Sequence, residues 1–162
     1  PSVRLLQAHQ GLAVARNAGL AAATGALIAF LDQDDWWEAD KLRRQAAYLA
    51  EHPAVDGVLT QQRFFLSPGT GTPLWLKPGL LEDDQPGSAP STLLARKTLF
   101  ERLGGFNPEL GLASDADWFA RARAAGANFY ELPAALTHKR VHPENHARLA
   151  PLPSAPPPGT ST

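Results

Sequence analysis

Residues 26–31 (ALIAFL) form an unbroken apolar run that stops at Asp32-Gln33-Asp34-Asp35. A strand with one wet face alternates apolar and polar residues, whereas a short continuous run marks a strand covered on both faces, as in parallel sheets. This run therefore requires helices above and below it. The flanking sequence supplies them. Residues 11–23 are Ala-rich and precede Gly25, which predicts a helix stopped by glycine. Residues 38–51 carry Leu42, Ala46 and Leu49 at helical spacing and are closed by Pro53; residues 55–59 read as the next strand. Strand, helix, strand in this order predicts βαβ units and an α/β fold with a mostly parallel sheet. Residues 3–6 read as a strand end.

The rest of the chain is less regular. Residues 67–90 hold Pro68, Pro73, Pro78, Pro86 and Pro90 and predict a long loop with one short strand near 74–76. Residues 92–95 read as a strand and 97–103 as a helix ended by Gly104-Gly105. Residues 114–125 read as a helix with Ser114 as N-cap, Asp115 and Asp117 in its first turn and Gly126 at its end. Residues 128–132 and 135–141 read as two further strands. Residues 151–162 contain five Pro and no charge, which predicts a disordered or polyproline tail outside a domain spanning 1–150.

Composition narrows the function. The chain has 162 residues, enough for one domain with a real core. Fifteen basic and 16 acidic residues give a net charge of −1, which disfavours nucleic acid as a partner. Cys is absent, so disulfides, thiolate metal sites and a Cys nucleophile are excluded. No charge-free stretch reaches the roughly 18 residues of a membrane span. The first residues lack a basic segment followed by an apolar block, so no secretory signal is expected. The expected location is the cytoplasm, with a peripheral position at the inner membrane face as an alternative.

Four segments carry candidate chemistry. The strand at 26–31 delivers Asp32, Asp34 and Asp35 to one end of the sheet, where ligands of open α/β sheets bind. Three acids within four residues repel one another unless a cation such as Mg²⁺ or Mn²⁺ neutralises them; a solvated turn before the helix at 36–40 is the plainer alternative. Asp115, in Ser114-Asp115-Ala116-Asp117-Trp118, is a candidate general base or simply a residue favouring the helix dipole. The segment 138–146 (HKRVHPENH) offers His, Lys and Arg for a metal or a phosphate, or a polar strand running into a turn. Gly11 and Arg16, at the start of the first helix, suit a phosphate or a solvated helix end.

Taken in order, these segments resemble the family 2 glycosyltransferases, which have the GT-A fold. GLAVARNAG at 11–19 is similar to the family's "G…ARN.G" helix, and GALIAFLDQDD at 25–35 to its "G.yiafLD.DD" strand and DXD motif. Residues 94–108, with Arg96, Phe100, Gly104-Gly105-Phe106 and Pro108, resemble "llR...fe.vGgFd"; Ser114 to Trp118 with Arg121 resembles "ED.dl..R"; Arg140-Val141-His142 with Asn145 resembles "R.H..N". The resemblance implies transfer of a sugar from a nucleotide-diphosphate sugar to an acceptor hydroxyl on a glycan, lipid or protein, with inversion and a divalent cation. It places Asp32 near the ribose, Asp34 on the metal with Asp35 and His142 as further ligands, Arg140 on phosphate, Gly11 and Arg16 facing the nucleotide, and Asp115 as the base. Trp36, Trp37 and Trp118 are candidate sugar-stacking surfaces or core residues. Ser114 stands where the family has Glu. The family's "VSVIIPvYN" and "vDDGS" strands do not occur, so the resemblance implies an N-terminally incomplete GT-A domain, with self-association expected through exposed sheet edges. A non-catalytic saccharide- or metal-binding remnant is the alternative.

Overall fold

The computed structural model describes residues 4–73, 76–77 and 79–142. The order is α1 (Leu12–Ala22), β1 (Leu27–Ala29), β2 (Trp36–Trp37), α2 (Lys41–Glu51), β3 (Gly57–Leu66), β4 (Leu94–Arg96), α3 (Lys97–Leu103), α4 (Ser114–Ala124) and β5 (Phe129–Val141). Short 3₁₀ turns at Pro90–Thr92 and Pro108–Ala113 precede β4 and α4. The five strands form one sheet in the order β1-β4-β3-β5-β2.

Strand alternation sorts the core into two layers. Ile28, Leu59, Leu93 and Ala95 face one side, where they join Ala13 of α1, Leu99 and Phe100 of α3, Phe106, and Trp118, Phe119 and Ala122 of α4. Val58 and Leu94 face the other side, against Leu49 of α2 and Val55. The sheet is therefore covered on both faces, as the apolar run at 26–31 requires.

Strand direction differs from the expectation of a mostly parallel sheet. Only β3 and β5 pair in parallel; β1–β4, β3–β4 and β2–β5 are antiparallel. β1 and β3 do run in the same direction, as a βαβ reading demands. However, β4 lies between them and runs against both, so the parallel pair they would make is never formed. Among the described residues β1 has β4 as its one neighbour, and its ladder ends at Ala29.

Other boundaries moved for local reasons. Residues 4–6 form no strand, and Leu5 and Leu6 are exposed. The two strands expected at 128–132 and 135–141 are one, because a bulge absorbs Pro133 and Ala134: Thr60 pairs Leu132 and Gln61 pairs Ala135. On α2 the buried residues are Lys41, Gln45 and Leu49, while Leu42 is exposed. Gln45 Nε2 donates to the Val58 and Thr92 carbonyls at 2.6 and 2.9 Å, and Lys41 Nζ donates to Gln45 Oε1 at 2.8 Å. Two buried main-chain carbonyls that face α2 thus accept from a polar side chain on this face. Ser114 is not an N-cap: the 3₁₀ turn runs directly into α4, Ala113 already has right-handed helical angles, and Ser114 is buried in the first turn. The expected strand near 74–76, Asn145 and the Pro-rich segment 151–162 lie wholly or partly outside the described residues.

Candidate functional site

A four-residue turn organises the acids. The Asp35 N–H donates to the Asp32 carbonyl at 3.2 Å, and β2 starts immediately afterwards. β2 pairs with β5 in the register Trp36–His138 and Trp37–Thr137. That pairing, local on one strand and remote in sequence, sets the basic segment 138–142 against the acidic turn.

The contacts are specific. Lys139 Nζ lies 2.6 Å from Asp35 Oδ2, 3.5 Å from Asp32 Oδ2 and 3.2 Å from Ser91 Oγ. The Arg140 backbone N–H donates to Asp35 Oδ1 at 3.2 Å, and Arg140 Nε donates to the Asp34 carbonyl at 3.1 Å. His142 Nε2 is 3.1 Å from Asp34 Oδ2. His138 is turned away from the acids: its ring stacks on Trp36 at 3.7 Å and its Nε2 is 2.9 Å from Glu38 Oε1.

α1 adds the third side. Gly11, at φ 91°, takes the left-handed backbone that starts the helix, and one turn later Arg16 points into the site. Arg16 Nη2 donates to Asp32 Oδ1 at 2.8 Å, and Nη1 donates to Asp115 Oδ1 on α4. Arg16 is 6 % exposed, and its Nε has no hydrogen-bond partner among the described residues. The next residue, Asn17, clamps Phe106 from both sides: Phe106 N–H donates to Asn17 Oδ1 at 2.8 Å and Asn17 Nδ2 donates to the Phe106 carbonyl at 2.7 Å. The clamp ties α1 to the Gly104-Gly105-Phe106 segment that leads to α4, which fixes how Asp115 meets Arg16.

Burial and charge compete at each carboxyl. At Asp32 burial raises the pKa, but Arg16 and Lys139 outweigh it and hold the group below its ordinary value. At Asp35 burial wins over Lys139 and the Arg140 N–H, and the pKa is raised. Asp115 is likewise raised, by burial first, against the charge of Arg16 and with repulsion from Asp32 adding to the rise. A carboxylate with a raised pKa is a better proton acceptor than a surface one.

The structure thus gathers Arg16, Asp32, Asp34, Asp35, Asp115, Arg140 and His142 around one turn. Gly11 has a backbone role at the helix start. Among the aromatic candidates, Trp118 is fully buried and donates its indole N–H to the Gly104 carbonyl, so it is core. Trp37 donates to the Ser91 carbonyl at 2.8 Å with Lys41 Nζ over its ring. Trp36 remains exposed at 44 %. Lys139 stands in the sequence only as one basic residue of the 138–146 segment offered for a metal or a phosphate, and its pairing with the acids is not expected from it; Asn17 and Ser91 have no assigned role there. Strand alternation carries no signal for Lys139: it sets Lys139 on the face opposite Arg140 and His142, yet all three bond the acidic turn.

Among the described residues no three His, Cys, Asp or Glu side chains converge as a metal site. Asp35 is committed to Lys139 and to the β5 backbone. Asp34 with His142 is a two-residue set, and such a set fits a hard cation that takes its remaining ligands from substrate phosphates and water.

Comparison with known proteins gives a consistent picture. The sequence profile described as "Glycosyl transferase family 2" matches residues 2–101. The succinoglycan biosynthesis protein ExoM of Rhizobium meliloti is 31 % identical over 153 residues, covering 88 % of this chain and 48 % of that protein. TuaG of Bacillus subtilis, described as a teichuronic acid biosynthesis glycosyltransferase, is 39 % identical over 69 residues, covering 43 % of this chain and 26 % of its own length. The crystal structure of S. aureus TarS 1-349 in complex with UDP-GlcNAc superposes with a TM-score of 0.63 at 22 % identity, covering 88 % of this chain and 42 % of that one. The chain spans less than half the length of each of these three proteins. The α/β architecture is that of the GT-A glycosyltransferases.

Proposed function

The chain belongs to glycosyl transferase family 2, and on that premise we propose that its acidic turn and Asp115 carry out inverting transfer of a sugar from a nucleotide-diphosphate sugar to an acceptor hydroxyl. One observation carries the reading. A single buried guanidinium, that of Arg16, bonds both Asp32 at the sheet end and Asp115 on α4. The donor-side acid and the candidate base therefore share one cation although one follows β1 and the other lies on α4, far apart in sequence.

The roles that the resemblance implies are compatible with this geometry. Asp115 accepts the proton of the acceptor hydroxyl as the oxygen attacks the anomeric carbon, and the bond from that carbon to the diphosphate oxygen breaks on the opposite face. Arg16 keeps Asp115 oriented, while Asp115's raised pKa increases its basicity. Asp32 meets the ribose, and Arg140 lies close enough to the turn to pair with a phosphate. Asp34 and His142 would hold a divalent cation (Mg²⁺ or Mn²⁺), which supplies charge neutralisation for the departing nucleotide. TarS has been crystallised with UDP and with UDP-GlcNAc, which supports a uridine diphosphate sugar as the donor class. The cytoplasmic location, the acceptor hydroxyl and self-association through the β1 edge belong to the same proposal. No helix among the described residues is long and apolar enough to cross a membrane.

The test is nucleotide release across a panel of UDP-sugars with and without Mn²⁺, with the anomeric configuration of any product read by NMR. Release with inversion supports the reading. Saccharide or nucleotide binding with no release from any donor contradicts it and favours a binding remnant.

A further inference from the structure

Among the described residues four acids and three permanent cations meet at the 32–35 turn, so their charges nearly cancel: Asp32, Asp34, Asp35 and Asp115 against Arg16, Lys139 and Arg140. The cancellation is uneven. Arg16 serves Asp32 and Asp115. Asp34 Oδ2 meets His142, and Arg140 Nε reaches the Asp34 backbone. Asp35, with its side chain only 2 % exposed, has its formal countercharge among the described residues in Lys139.

Lys139 is held as a cation among oxygens. Its ammonium has Asp35 Oδ2, Asp32 Oδ2 and Ser91 Oγ within 3.5 Å. Ser91 is itself fully buried, and its carbonyl accepts from Trp37 Nε1 at 2.8 Å and Thr137 Oγ1 at 3.3 Å. The third oxygen is thus part of a fixed scaffold, and β5 fixes the lysine backbone through its register with β2 and β3. An ammonium ion surrounded by three oxygens satisfies the acids in the way a hard cation would.

We propose that Lys139 is a built-in counter-cation that takes the electrostatic place of a metal ion on the Asp32–Asp35 side of the turn and keeps the donor-free protein from binding divalent cations. This rests on the reading of the turn as the donor-diphosphate site. A metal approaching Asp35 meets an ammonium already bonded there, and like charges at such separations repel strongly. The side left to a cation is Asp34 with His142, which lacks enough ligands until phosphate oxygens arrive. Lys139 is accordingly a positioning residue that makes metal binding conditional on the donor.

The experiment is a Mn²⁺ titration of the protein without nucleotide, with free Mn²⁺ read by electron paramagnetic resonance. Wild-type protein is expected to bind Mn²⁺ only weakly. Lys139→Met is expected to bind it at least about tenfold more tightly, and Lys139→Arg, which keeps the charge, to behave as wild type. Adding Asp35→Asn to Lys139→Met should remove the gain. If the methionine variant loses its cooperative thermal transition, Lys139→Gln carries the same comparison. Tight Mn²⁺ binding by wild type without donor, no gain in the charge-removing variants, or an equal gain in Lys139→Arg would each overturn the proposal. The titration contains no nucleotide and reads no turnover, so its failure is distinct from failure of the catalytic reading, which shows only in the nucleotide-release assay.

Discussion

Replacing Arg16 with Met would remove the cation shared by Asp32 and Asp115 while keeping an unbranched apolar stem beside Phe106, over whose ring the guanidinium now sits at 5.4 Å. Taking one partner from a buried ion pair typically costs about 3–5 kcal/mol, because the remaining charge stays buried without compensation. Here two carboxylates lose their partner, but their side chains are 24 % and 28 % exposed and Lys139 remains 3.5 Å from Asp32. Water and Lys139 absorb part of the loss, so the expected destabilisation at pH 7 is about 2–4 kcal/mol. The pH dependence has a definite sign. In wild type the lowered pKa of Asp32 contributes stability above the ordinary Asp value of about 3.9, and that stability is lost as pH falls through the lowered value. In the variant Asp32 loses its main lowering partner and Asp115, already raised, rises further, so both carboxylates destabilise the fold once ionised. The gap between the proteins is therefore widest near neutral pH and narrows towards pH 4. Urea denaturation at pH 7 and pH 4.5 measures both quantities. A loss below about 1 kcal/mol at pH 7, or an equal loss at the two pH values, would refute the bridging role.

Three further outcomes are expected. A Cβ at Gly105 would lie 2.2 Å from Asn17 Oδ1, so Gly105→Ala should cost about 1–3 kcal/mol, and much less when Asn17→Ala is already present; additive effects in thermal melts would contradict the clamp. Trp118→Ala, deep in the layer with Phe100 and Phe119, should cost about 3–5 kcal/mol by chemical denaturation, and a near-neutral effect would mean the ring is not core. Burial lowers the pKa of Lys41 to about 7. Between about pH 7 and 10 the unfolded chain therefore binds the extra proton, and stability should rise with pH. Lys41→Met should flatten that rise, on the order of 3 kcal/mol across the window, and an identical slope in both proteins would contradict the assignment.

The layers of the fold were legible because hydrophobic period is a local signal. The apolar run at 26–31 announced a doubly covered sheet, and α3 and α4 appeared close to their expected ranges. Strand direction was not legible, since nothing in residues 92–96 states that β4 inserts between β1 and β3 against both. The buried face of α2 was hidden for another reason. Lys41 and Gln45 look like solvated residues until the Val58 and Thr92 carbonyls opposite Gln45 are known. The site divided in the same way. The acids and Asp115 stand out as local clusters, but Arg16 as their common partner and Lys139 as the countercharge of Asp35 depend on α1, α4 and the β2–β5 pairing, which only the folded chain brings together.

The claim that Asp115 is the base of a glycosyl transfer faces its most direct test in Asp115→Asn, which keeps the shape of the side chain and removes its basicity. UDP affinity and UDP release from the best UDP-sugar donor would be measured side by side in the variant and in wild type. The account predicts UDP binding close to wild type with release slowed by about 10²–10⁴-fold. Release at the wild-type rate in Asp115→Asn would contradict it.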